Sequence, residues 1–340
     1  MKRFAAAIIA LLLSYPAVAH EVIVRQPQNT ADSPQSSHSS SSFDSWLRHF
    51  KEDALAAGIS EKTFDEAFAH TEAPLDRVIE LDHKQPESTL TFERYLGNIV
   101  TSKRVEEGRK HMATNRTLLN KIGKKYGVQP RFIVALWSIE TNYGKNTGGF
   151  AVTDALATLA WEGRRADFFR SELIDALKIL QQEHMQPSEL KGSWAGALGQ
   201  CQFMPDSFLK YAVDYTHTGR RDIWGTKADV FASIANYLKS SGWDDSVGWG
   251  RPVKLPENFD RKLAEITSEK SLKEWSNLGV RTETGGKLPA KNIKASLIFV
   301  GEGDDAVPYI IYSNYKVLLK WNRSRFFATA VGTLSDKINR

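Results

Sequence analysis

From Phe43 to about Ser240, apolar residues recur every three or four positions, the spacing of one face of an α-helix. Phe43, Trp46, Leu47 and Phe50 open this texture. A capping-box serine, Ser60, then precedes Phe64 and Phe68. The pattern predicts a long helix over 92–112, another over 116–126, and amphipathic helices over 154–163 and 166–184. A further helix over 229–240 carries Asn236 and Tyr237 side by side. Beyond Trp243 the texture changes. Pro252, Pro256, Gly279, Gly285, Gly286 and Pro289 punctuate short runs at 253–255, 293–300 and 309–313, which predict short strands. The chain closes with a polar turn around Trp321 to Ser324 and a final helix.

One run stands apart, RFIVALWSIETNYG at 131–144. Ile133, Leu136, Trp137 and Glu140 share a helical face, while Phe132, Ala135 and Ile139 cover its flank, so this helix is apolar nearly all round. Glu140 is its only acid and falls in the last turn, because Asn142 and Gly144 read as a helix stop. Burial and the negative end of the helix dipole both disfavour a carboxylate anion and raise its pKa. The helix alone leaves two readings open, a structural glutamate paired with an arginine or an acid kept protonated near neutral pH. A glycine-rich loop follows later, with Gly192, Gly196 and Gly199 among Ser193, Gln200 and Gln202. Glycines allow close backbone approach to a ligand, and amides read hydroxyl and acetamido groups.

With 340 residues and 41% hydrophobic content, the chain can bury a large core. Its start, MKRFAAAIIALLLSYPAVAH, reads as an export signal with cleavage after Ala19; the apolar run is too short to span a bilayer. No other stretch reaches transmembrane length, and no cysteine follows the signal to carry a lipid, so a periplasmic protein is expected. Residues 26–42 are Ser-rich and polar, a flexible tether. Without Lys2 and Arg3 the net charge falls from +5 to +3, too modest and dispersed for a nucleic-acid partner. Cys201 is the single cysteine, which excludes an internal disulfide, and the scattered histidines form no zinc motif.

Together, WSIETNYG (137–144), DALATL (154–159), RRADFF (164–169), the stretch 192–215, ASIANYLKSSGW (232–243) and KWNRSRFFATAVG (320–332) resemble the B-type lytic murein transglycosylases of glycoside hydrolase family 103. The resemblance covers nearly everything from Phe43 onward. It implies a mainly α (α+β) fold with a lysozyme-like catalytic core at 126–245, an α-helical domain at 43–125, and a small β-containing portion at 246–312. The segment 313–340 returns to the core, and 1–19 and 20–42 are signal and linker. Glu140 occupies the family's catalytic position. Ser193, Gln202, Asn236, Tyr237 and Asn322 match its glycan-contacting positions. Phe168, Trp321 and Phe327 stand where relatives often carry tyrosine, keeping apolar faces for a sugar but no hydroxyl.

The expected activity is cleavage of the MurNAc–GlcNAc β-1,4 bond with formation of 1,6-anhydro-MurNAc. The rivals are a hydrolytic muramidase, which needs a second acid, and a wall-binding protein that does not cut. Asp154 reads as structural and Glu162 as an exposed helix-end charge. The expected partner is the peptidoglycan strand, met by a monomer without cofactor. Relatives often have a calcium loop after 212–214; here DYTHTGRRDIWG (214–225) keeps only Asp214 and Gly219 of that pattern, so no metal is expected.

Overall fold

The computed structural model describes residues 40–84 and 90–339. The signal expected at 1–19 lies outside them. So does the expected linker, apart from its last three residues, because helix α1 (Ser40–Ala56) begins ahead of Phe43. Helices α2 (Glu61–Phe68), α3 (Asp76–His83), α4 (Phe92–Ile99), α5 (Ser102–Thr114) and α6 (Arg116–Tyr126) follow. The single helix expected over 92–112 is therefore two. Apolar spacing runs across the break, but Thr101 is extended and its side chain accepts from Arg104 N, which starts a new helix.

Helix α7 (Pro130–Thr141) carries Glu140. Proline at its first position costs no hydrogen bond there, and Asn142 ends it in the left-handed conformation at φ 50°. Next come β1 (Phe150–Ala151), α8 (Val152–Glu162), α9 (Ala166–Glu183), β2 (Lys191–Gly192), α10 (Pro205–Tyr211) and α11 (Lys227–Ser240). Strands β3 (Gly250–Lys254), β4 (Lys270–Ser271), β5 (Arg281–Thr282), β6 (Lys294–Val300) and β7 (Val307–Ile311) surround the short helix α12 (Leu272–Asn277). Helices α13 (Ser313–Trp321) and α14 (Arg325–Ile338) complete the chain.

Every residue of α7 from Phe132 to Ile139 is buried, and α5, α6, α11 and α14 pack around it. An apolar cylinder needs neighbours on all sides, and these four supply them. The five-stranded sheet has order β4-β6-β7-β3-β5, with antiparallel pairing along it and Leu297 opposite Ile310. Side chains alternate across a strand, so this sheet serves two cores. Ile298, Val300, Tyr309 and Ile311 join the large helical core, while Ala295, Leu297, Ile310 and Tyr312 join a small one around Trp275. The large core runs from Phe43 to Ile338 and holds the end of α7 in place.

Candidate active site

Glu140 sits half-buried at the last turn of α7, next to the fully buried Ile139 and Thr141. Burial pushes its carboxyl up to about 8, against an opposing hydrogen bond from Trp321. That bond runs from Trp321 Nε1 to Glu140 Oε1 over 2.7 Å and joins residues 181 positions apart. Among the described residues no other carboxylate and no cation perturbs Glu140. Its own charge is felt by Tyr95 on α4, whose hydroxyl is pushed up to about 12, mainly by burial, and by the buried Cys201 thiol, also raised chiefly by burial.

An aromatic wall flanks the carboxyl. Trp321 meets Tyr237 edge-on at 4.7 Å and Phe203 at 5.3 Å, and Tyr237 meets Tyr211 at 4.6 Å. Tyr237 OH donates to Lys320 O over 2.8 Å, which fixes the backbone just ahead of Trp321. Asn322 follows directly, buried, with its Oδ1 accepting from Ser324 N. Asn236 Nδ2 is committed to Tyr211 O over 3.0 Å.

The glycine-rich loop lies against the turn after α7. A Cβ on Gly148, at φ +87°, would fall 2.1 Å from Gly192 O, so this approach of two chain segments requires glycine. Ser193 Oγ accepts from Ala197 N within the loop. Gln202 holds φ +49°, uncommon for a side-chain-bearing residue, and its Nε2 donates to Thr147 O and Gly199 O. Strained residues of this kind persist where the surroundings over-determine them, often at functional sites.

Of the residues singled out from the sequence, Trp321 touches the Glu140 carboxyl and Tyr237 packs on Trp321, while Asn322 follows Trp321 in the chain and Gln202 precedes Phe203, which also packs on Trp321. Phe327 is 1% exposed and belongs to the core, so it has no face to offer a sugar. Phe168 is half-buried and packs edge-on against Phe169. Sequence reasoning passed over Tyr95 and Phe203; Phe203 follows Gln202 directly, a signal that was available. Glu162 is not an exposed charge. Its side chain is 11% exposed, bonded to His83 Nε2 over 2.7 Å and to Arg164 N. Asp154 accepts from Thr71 Oγ1 over 2.7 Å and ties α8 to the loop before α3. A second buried acid, Glu172, is pushed up to about 7 by burial, and its Oε2 accepts from Asp206 N.

Three carboxylates in and just after the loop at 214–225 are held by backbone hydrogen bonds. Asp214 accepts from Thr218 N and Gly219 N, Asp222 from Trp224 N and Gly225 N, and Asp229 from Tyr215 N and Thr216 N. Backbone N–H donors thus already hold each of these carboxylates in place. Arg221 pairs with Glu183, adding a cation beside them. Among the described residues no group of three or more His, Cys, Asp or Glu could hold a metal.

Residues 42–336 match the family model described as Transglycosylase SLT domain. The chain is 32% identical over 251 residues to the membrane-bound lytic murein transglycosylase B of Escherichia coli K12, an alignment spanning 72% of this chain and 66% of that protein. The crystal structure of SltB3 from Pseudomonas aeruginosa in complex with NAG-anhNAM-pentapeptide superposes with TM-score 0.83 at 42% identity, covering 87% of this chain and 79% of that one. The Escherichia coli lytic transglycosylase Slt35 in complex with calcium gives TM-score 0.73 at 28% identity, covering 86% and 92%.

Proposed function

Because the chain belongs to the transglycosylase SLT domain family and shares the lysozyme-like helical fold of its structural neighbours, we propose that it is a peptidoglycan lytic transglycosylase. In this reading it cuts the MurNAc–GlcNAc β-1,4 bond and closes a 1,6-anhydro ring on the muramic acid. The observation that carries the reading is Glu140, an acid pushed up to about 8 with no second carboxylate acting on it. Protonated Glu140 donates to the glycosidic oxygen as the C1–O bond breaks. The resulting carboxylate then takes the proton from the muramoyl C6 hydroxyl as that oxygen bonds to C1. Positive charge developing at C1 is met by the substrate's own acetamido oxygen and by the carboxylate. No water enters, so one acid that alternates with its conjugate base is sufficient.

The groove for the glycan is formed by Ser193, Gln202, Asn236, Asn322 and the aromatic wall of Tyr237 and Trp321, with Phe168 further out. The wall polymer is reached because residues 1–19 direct export to the periplasm, and the enzyme acts as a monomer. No helix among the described residues is long and apolar enough to cross a membrane.

A muramidase would instead use a second carboxylate to activate water. No other carboxylate among the described residues acts on Glu140, and the buried acid Glu172 has its carboxylate engaged at the start of α10. Product analysis tests the proposal. Purified sacculi are digested, reduced with borohydride and examined by mass spectrometry. Anhydro ends resist reduction and are lighter than hydrolysed ends by one water, about 18 mass units, since the substrate's own oxygen is the nucleophile. Reducible muramic acid ends as the main product would replace this reading with the muramidase. Absence of fragments from folded protein would leave a wall-binding protein.

A further inference from the structure

We infer that the Trp321 indole is a positioning residue that decides which oxygen of Glu140 carries the transferable proton. The inference rests on the reading of Glu140 as the acid. Trp321 Nε1 lies 2.7 Å from Glu140 Oε1, at the short end for an N–H···O bond. An indole N–H can only donate. A neutral carboxyl group has one carbonyl oxygen and one hydroxyl, and the carbonyl oxygen is the better acceptor. Oε1 therefore keeps the carbonyl role, and the proton resides on Oε2. A phenol hydroxyl in the same place could donate or accept, and would leave the proton free to occupy either oxygen.

The indole is itself held rigidly. Trp321 is the last residue of α13, its ring lies against Phe203 and Tyr237, and the preceding residue is held by α11 and by the residue that follows α11. Tyr237 OH donates to Lys320 O, and Lys320 Nζ donates to Ser241 O. The bond to Oε1 also strengthens as negative charge develops, because a carboxylate accepts more strongly than a neutral carboxyl. Trp321 thus favours the state that forms while Oε2 gives its proton to the glycosidic oxygen. In the return step the C6 hydroxyl proton is taken by the same Oε2. The titratable groups facing Glu140 are Tyr95 on α4 and Cys201 in the glycine-rich loop, both neutral at working pH; Arg104 on α5 bears on Tyr95 and not on Glu140. Among the described residues, Trp321 is the side chain that hydrogen-bonds Glu140.

The test compares full-length wild type, Trp321→Phe and Glu140→Gln on soluble uncrosslinked glycan strands. Circular dichroism checks folding. Trp321→Phe keeps an aromatic ring and removes the donor. Its kcat should fall about tenfold with KM within about twofold, the size of one lost charge-assisted hydrogen bond. The basic limb of its kcat/KM profile should move up by about one pH unit, since the carboxylate loses a stabilising partner. In wild type, the ¹⁵N–¹H signal of the Trp321 indole, assigned by its through-space contacts to the Phe203 and Tyr237 rings, should titrate with the midpoint of the basic limb. The same signal should not titrate in Glu140→Gln. An unmoved limb, a loss confined to KM, or an indole signal indifferent to Glu140 overturns the inference. The indole titration decides the matter if Trp321→Phe does not fold. Activity in Glu140→Gln would instead remove the acid assignment itself.

Discussion

Trp137 Nε1 donates 2.8 Å to Gln200 Oε1 in the protein interior, and this bond fastens the glycine-rich loop to the helix that carries Glu140. Gln200 is engaged from three sides. Its Nε2 donates to Trp224 O, and its backbone carbonyl accepts from Thr141 Oγ1, the residue after Glu140. The acid and the loop are thereby set as one rigid piece, the arrangement a proton transfer needs to keep its distances.

Gly144→Ala is expected to loosen that piece. Gly144 holds φ +82°, and a Cβ there would lie 2.3 Å from Gln200 Oε1. The strained backbone and the displaced amide should cost roughly 2–4 kcal/mol. A melting temperature equal to wild type would show that the loop yields freely.

Glu140→Gln is expected to lose activity while keeping its fold. The amide is near-isosteric and cannot deliver a proton, so kcat on sacculi should drop by roughly 10²–10⁴, the range attributed to a positioned acid. Clearance at the wild-type rate would end the assignment.

The same variant should become relatively more stable as pH rises. Glu140 in the folded chain is raised from its ordinary 4.5 to about 8, so between those values the native state binds more protons than the unfolded one. Wild-type stability therefore falls with rising pH through this window relative to Glu140→Gln, and levels off above it. The gap should reach on the order of 3 kcal/mol near pH 8.5, allowing for the partial opening of the carboxyl to solvent. Urea unfolding at pH 5 and pH 8.5 measures it. A gap that does not change with pH would mean that Glu140 ionises as an exposed glutamate does.

Calcium should not stabilise the protein. A ligand bound only by the native state raises stability as RT ln(1 + [L]/Kd), and the carboxylates at 214–229 already accept from backbone N–H groups. Melting curves in millimolar calcium and in chelator should coincide. An upward shift with calcium would show that these carboxylates exchange their N–H partners for the ion.

Local chemistry was legible in the chain itself. The apolar periodicity of 131–141 and the stop at Asn142 are short-range signals, and α7 forms where they place it. Of the five strands after Trp243, β3, β6 and β7 overlap the runs set off by proline and glycine, while the two-residue β4 and β5 left no such signal. Glu140 stands out as a lone acid on an all-apolar helix, a conflict of the kind that concentrates at functional sites, but that helix alone leaves a structural glutamate equally open and only the family resemblance favours the catalytic reading. Only the tertiary structure decided what that acid touches. Trp321 lies 181 residues further on, and Tyr95 lies on a helix of its own, so no spacing rule connects either to Glu140. Burial of Glu162, Glu172 and Phe327 was likewise fixed by packing between distant elements. Even the break between α4 and α5 escaped the pattern, since periodicity reports which side of a helix is covered and Thr101 decides where the backbone turns. Sequence spacing encodes contacts within a few turns; the partners of a buried charge are set by which helices the core brings together.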